Sequence, residues 1–170
     1  MAGKTKRVAI LVEQLYQVLE VWYPAYRLKE EGIEYKFIGT GSQKSYPSKE
    51  GYPCEVHASI DEVKPKDFDA VIIPGGFAPD FLRRYPKMVD FVKEMDKSGK
   101  VVASICHGGW MLVSAHILKG RKATSFFAIK EDLIADGAKF VDAEVVVDRN
   151  LITSRKPDDL PAFVREIIKQ

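Results

Sequence analysis

Apolar and polar positions along this chain follow two patterns: short continuous apolar runs and longer stretches with helical spacing. The run Val8-Ala9-Ile10-Leu11-Val12 opens the series and reads as a strand buried on both faces. Over residues 16–31 the apolar positions recur at helical spacing, and Gly32 supplies a stop. Residues 34–38 read as a second strand, closed by the turn Gly39-Thr40-Gly41-Ser42. Tyr46-Pro47, Gly51 and Pro53 break residues 43–62, which predicts a short hairpin or irregular excursion. Residues 69–73 form a strand ending in Pro74-Gly75-Gly76, with helices over about 79–84 and 86–98. A strand at 101–105 leads into a helix at 108–118, and a helix at 130–136 stops at Gly137. Residues 139–147 and 151–154 read as two strands around an Asp148-Arg149-Asn150 turn. Residues 158–169 form the closing helix, with Asp158 as its candidate cap.

Strands alternating with helices predict an α/β fold: a mainly parallel sheet with helices on both faces. Sites in such sheets lie beyond the carboxyl ends of the strands. That points to the segments at 12–17, 74–80 and 105–109. The 170 residues fit one domain, 1–170, with no repeat, low-complexity stretch or long linker, and 46% hydrophobic residues suffice for a core. The 26 basic and 24 acidic side chains give a net charge of +2, and no run of like charges indicates a nucleic-acid partner. After the basic start Lys4-Thr5-Lys6-Arg7 the apolar run is too short for a signal peptide. No run approaches the ~20 apolar residues of a membrane span, so no membrane association is expected and the expected location is cytoplasmic. Two cysteines make no disulfide framework, and His57, His107 and His116 are scattered, so neither a metal nor a cofactor is expected. Cys54, just after a turn, reads as a structural thiol.

The stretch Ala103-Ser104-Ile105-Cys106-His107-Gly108-Gly109-Trp110 carries the chemistry. A strand turns abruptly into a helix at Cys106, which is a nucleophile elbow with cysteine in place of serine. A free cysteine is more often a small core residue, but rarely with His-Gly-Gly at such a junction. The positive field of a helix N-terminus favours thiolate, and His107 adds a possible charge partner. Gly75 and Gly76 permit close backbone approach, and their N–H groups with that of His107 are candidates for an oxyanion hole. No phosphate-binding glycine pattern is present. A glutamine amidotransferase would need a later histidine, and only His116, inside the same predicted helix, follows. Trp22, Trp110, Phe77, Phe126 and Phe127 are candidates for core packing first and for a pocket second.

The segments Ile73-Pro74-Gly75-Gly76 with Ala78-Pro79-Asp80, and Ala103-Ser104-Ile105-Cys106-His107-Gly108, resemble the ThiJ/PfpI superfamily, in particular its PfpI-type branch. The likeness runs through Tyr23-Pro24-Ala25-Tyr26-Arg27, Gly120-Arg121-Lys122-Ala123-Thr124-Ser125 and Val141-Asp142-Ala143-Glu144, and so spans nearly the whole chain. It implies a flavodoxin-like three-layer sandwich that forms homodimers or higher homo-oligomers. It also implies a role as an intracellular protease, glyoxalase, deglycase or stress protein. By the resemblance Cys106 is the nucleophile and His107 its base. Asp80 stands where relatives usually carry glutamate and would orient His107 from a neighbouring subunit. Gly76 and His107 would form the oxyanion hole. An ungapped match puts Gln17 where the family places a glutamate beside the nucleophile, with Glu13 and Glu20 nearby in sequence. Phe126 replaces a tyrosine, and Gly109 a frequent proline.

The expected function is therefore cysteine-dependent catalysis on a small reactive carbonyl compound or a peptide. Gln17 counts against efficient proton transfer, because an amide is neither general acid nor general base. The alternative is a weakly catalytic, redox-responsive stress protein with an oxidisable Cys106.

Overall fold

A computed structural model describes residues 6–170. Residues 1–5, which include Lys4 and Thr5 of the basic start weighed against a signal peptide, lie outside the described residues. The main sheet has seven strands. From one edge they are β5 (Ala58–Ser59), β2 (Glu34–Gly39), β1 (Arg7–Leu11), β6 (Ala70–Ile73), β7 (Val101–Ile105), β11 (Leu151–Ser154) and β10 (Val145–Asp148). Every neighbouring pair is parallel except the β10–β11 hairpin. Successive residues of β1 point to opposite faces, as the strand period requires. Val8 and Ile10 pack with α1 (Val18–Glu30) and α6 (Leu160–Lys169). Ala9 and Leu11 pack with α3 (Pro86–Lys97) and α4 (Gly109–Ala115). This is a flavodoxin-like three-layer sandwich. The strand order reverses at β1, so the carboxyl ends of β1, β6 and β7 open one crevice.

The broken stretch after β2 holds a hairpin of β3 (Ser45–Pro47) and β4 (Pro53–Glu55). Tyr16 laces that hairpin to the crevice. It bridges to Ser48 on one side and to Gly76 on the other. Leu15 N–H donates to the Pro47 carbonyl at 2.8 Å, and Phe77 N–H donates to the Leu15 carbonyl at 2.9 Å.

Three expectations need correction. The strand read over residues 139–147 is split. β9 (Lys139–Phe140) leaves the main sheet to pair with β8 (Lys122–Ala123), a strand too short to show in the sequence. The crossing to β10 is held by Arg155 on Asp142 at 2.8 Å and by the Ser154 hydroxyl on the Glu144 carbonyl at 2.6 Å. The helix expected over 108–118 is shorter, because a 3-10 turn (Cys106–Gly108) precedes α4 and His116 ends it in a left-handed conformation. Asp158 does not cap α6. A 3-10 turn (Pro157–Asp159) puts Asp159 at the helix start, buried, with its carboxylate on Arg155.

At the opposite end of the sheet Arg121 is buried just before β8. It donates to Asp96 at 2.6 Å, and to the Asp148 carbonyl and the Asn150 side chain at 2.8 Å each. Asp96 lies in the last turn of α3, so this one guanidinium joins a helix to the β10–β11 turn. Among the described residues no helix is long and apolar enough to cross a membrane, and no His/Cys/Asp/Glu group is arranged to hold a metal ion.

Candidate active site

Cys106 occupies the elbow between β7 and α4 at φ +59°, a conformation costly for a residue with a Cβ. Only 8% of it is exposed. The backbone N–H groups of His107 and Gly76 lie on the side of its sulfur and favour its charged form. His107 places Nδ1 3.3 Å from Sγ. Its ring lies between Phe126, stacked at 5.1 Å, and Trp110, edge-on at 5.2 Å. Phe126 thus supplies a flat apolar face to the imidazole, and its own N–H donates to the Cys106 carbonyl. Burial lowers the His107 pKa, as the positive charge of Lys49 does to a smaller extent, so the ring is held neutral.

Gly75 and Gly76 are required by close contact. A Cβ at Gly75 would meet Glu20 Oε2 at 2.7 Å, Cys106 Cβ at 2.8 Å and the His107 nitrogen at 2.9 Å. Gly76 has φ +76°, and a Cβ there would strike the Leu15 carbonyl at 2.5 Å.

The carboxylate beside the nucleophile is Glu20, and the placement of Gln17 there is corrected. Gln17 is the N-cap of α1, and its side chain turns back to accept from Leu19 N–H at 2.7 Å. Glu20, in the first turn of α1, is wholly buried. Its Oε2 accepts from Gly75 N–H at 2.6 Å, its Oε1 has no hydrogen-bond partner among the described residues, and the carboxyl sits near enough to the Cys106 thiol for each to act on the other's titration. Burial pushes Glu20 up to about 7, against the opposing pull of Gly75 N–H, Cys106 and Lys49. Burial, and then the Glu20 charge, push the Cys106 thiol up to about 12. Near neutral pH the sulfur therefore rests as a thiol, and the carboxyl beside it is the group poised to take up or release a proton. Glu13 is buried elsewhere, accepting from Gln14 N–H and the hydroxyls of Thr40 and Ser42.

Asp80 lies in α2 (Ala78–Leu82) with its carboxylate on Arg84. Among the described residues no carboxylate meets the second ring nitrogen of His107. The other aromatics scatter. Trp22 packs on Phe37 and Tyr52, Phe77 is exposed, and Phe127 stands 77% exposed. Phe126 and Phe127, with Lys130 and Ile134 of α5 (Lys130–Ala135), line an open cavity of about 1000 Å³ beside the elbow. Cys54 is fully buried, and burial pushes it up to about 12. His116 sits at the solvent edge, paired with Asp136 at 2.9 Å.

The model of the DJ-1/PfpI family matches residues 6–170. The chain is 45% identical to "Deglycase TK1284" of Thermococcus kodakarensis, over 96% of this chain and 98% of that protein. It is 41% identical to "Protein/nucleic acid deglycase 2" of Escherichia coli, over 97% of each. Among solved structures it superposes with TM-score 0.95 and 42% identity on a two-domain protein of Anabaena variabilis with DJ-1/ThiJ/PfpI-like and ferritin-like domains. That match covers 97% of this chain and 48% of the two-domain chain.

Proposed function

The chain belongs to the DJ-1/PfpI family, and from that premise we propose that it is a cysteine-dependent enzyme of reactive carbonyl compounds, with glyoxalase- or deglycase-type chemistry at Cys106. The observation that carries this reading is the buried Glu20 carboxyl against the Cys106 thiol, with two N–H groups on the sulfur. The names of the deglycase relatives support it.

In this reading the resting sulfur is a thiol, and the Glu20 carboxylate takes its proton as attack begins, leaving a thiolate beside a neutral Glu20. Attack on an α-oxoaldehyde forms an S–C bond, and the carbonyl electron pair moves to oxygen. The N–H groups of Gly76 and His107 steady that oxygen as it takes the Glu20 proton. Glu20, now ionised, takes the proton from the thiol-bearing carbon and delivers it to the neighbouring carbon, while the proton of the new hydroxyl passes to the neighbouring oxygen, which yields a thioester of a 2-hydroxy acid. Water then releases the acid and the thiol. The neutral His107 is the base for that water, and Asp80 of a second copy of the chain orients it.

The test is turnover of methylglyoxal and of a methylglyoxal-modified amine by the wild type, Cys106→Ser and Glu20→Gln. Each variant is expected to lose at least ~100-fold, the usual worth of a general acid–base. Equal rates in wild type and Glu20→Gln would overturn the reading.

A further inference from the structure

Lys49 is an exposed cation whose backbone is tied to the rim of this site. It lies between β3 and β4, and its N–H donates to the Tyr16 carbonyl at 3.0 Å. Tyr16 in turn bridges to Gly76, whose N–H favours the charged form of the Cys106 sulfur. The connection that carries Lys49 is itself pinned. Ser48 N–H donates to the Tyr52 carbonyl at 2.8 Å, and the Ser48 hydroxyl accepts from Tyr52 N–H at 3.0 Å and Glu50 N–H at 3.1 Å. Lys49 is exposed and enters none of the ion pairs among the described residues. Its charge nevertheless reaches both Glu20 and His107.

We propose that Lys49 selects carbonyl substrates that carry a carboxylate near the reacting carbon. An anion approaching a thiolate is repelled, and a cation carried on a pinned backbone at the rim offsets that repulsion. The cations that line the cavity beside the elbow are engaged, Arg155 with Asp142 and Asp159, Lys156 with Asp158, and Lys130 over the Phe140 ring. Phe126 presents a ring, His107 is neutral, and the N–H groups of Gly76 and His107 are committed to sulfur and to the developing oxyanion. A neutral dicarbonyl makes no use of Lys49, whereas an α-oxoaldehyde or an adduct that also carries a carboxylate has its charge met. The inference rests on Cys106 being the nucleophile, but its test does not require turnover.

Cys106 is alkylated with iodoacetate, an anion, and with iodoacetamide, its neutral counterpart, and the rate ratio is compared between variants. Lys49→Met is expected to lower the iodoacetate-to-iodoacetamide ratio about fivefold at low salt, with the loss fading as salt screens the charge. Lys49→Arg should keep the wild-type ratio, and Lys44→Met, an exposed change on the far side of β3, should leave it unmoved. A ratio that Lys49→Met leaves unchanged, or that Lys44→Met lowers equally, overturns the proposal. The absolute iodoacetamide rate reads the nucleophile itself, so a slow thiol with an altered ratio would weaken the catalytic reading and leave this one standing.

Discussion

Glu20 and Cys106 meet across the side chain that Gly75 lacks: a methyl group at Gly75 would stand 2.7 Å from Glu20 Oε2 and 2.8 Å from Cys106 Cβ. Helix α1, the β6 terminus and the β7 elbow thus converge within one residue's width. The Gly75 N–H that binds Glu20 keeps the carboxyl facing the sulfur.

Gly75→Ala should therefore injure fold and site together. The new carbon would press on backbone and on two short side chains with nowhere to move, a case of overpacking that costs about 1–3 kcal/mol. Urea unfolding should show a lowered midpoint, and iodoacetamide labelling of Cys106 should change. An unaltered midpoint would mean that the three elements can part without cost.

Glu20 should make stability fall as pH rises. Its carboxyl is shifted up, from an ordinary 4.5 to about 7, so the folded state holds the proton more tightly than the unfolded chain. The contribution is fully present below about 4.5 and lost as pH climbs through about 7. A shift of this size corresponds to roughly 3 kcal/mol, as an order of magnitude. Glu20→Gln removes the titration, so wild type should lose stability relative to the variant between about pH 5 and pH 8. Urea midpoints of the two proteins that run parallel across that window would contradict a buried, protonated Glu20.

The two thiols should oxidise unequally. Cys54 is sealed in the core, whereas Cys106 is 8% exposed at the elbow, with hydrogen-bond donors for a charged sulfur. Mild peroxide followed by mass spectrometry should add oxygen to Cys106 before Cys54. Equal oxidation would remove the basis for any redox role of Cys106.

Arg121→Ala should be among the most damaging single changes. It would leave Asp96 without its cation, held only by the Asn150 amide, and strip hydrogen bonds from the Asp148 carbonyl and the Asn150 side-chain oxygen. Breaking a buried pair of this kind costs about 3–5 kcal/mol. Thermal unfolding reads the result, and a loss under about 1 kcal/mol would show that the network closes over the gap.

The sandwich, its strand order of alternation and the elbow were legible because buried parallel strands and helix spacing leave strong patterns. The acid of the site was less so. Matching backward from Tyr23-Pro24 stops on Gln17, three residues and nearly one turn before Glu20. A signal was present, since the buried stripe of α1 comprises Glu20, Val21, Pro24, Ala25 and Leu28. A carboxylate on an otherwise apolar stripe is a functional candidate, whereas Gln17, just outside the first turn, is placed to cap. Lys49 left no such mark, because its position depends on Tyr16 bridging segments far apart in sequence. β8 and β9 pair over only two residues each, below any periodicity that a sequence can display.

The lacing around Tyr16 also bears on kinetics. The segments that frame the mouth of the site already hold one another by main-chain hydrogen bonds, so little chain entropy is left to lose when a ligand arrives. Entry then needs no closing lid, and turnover should be timed by encounter and bond-making rather than by a slow conformational gate.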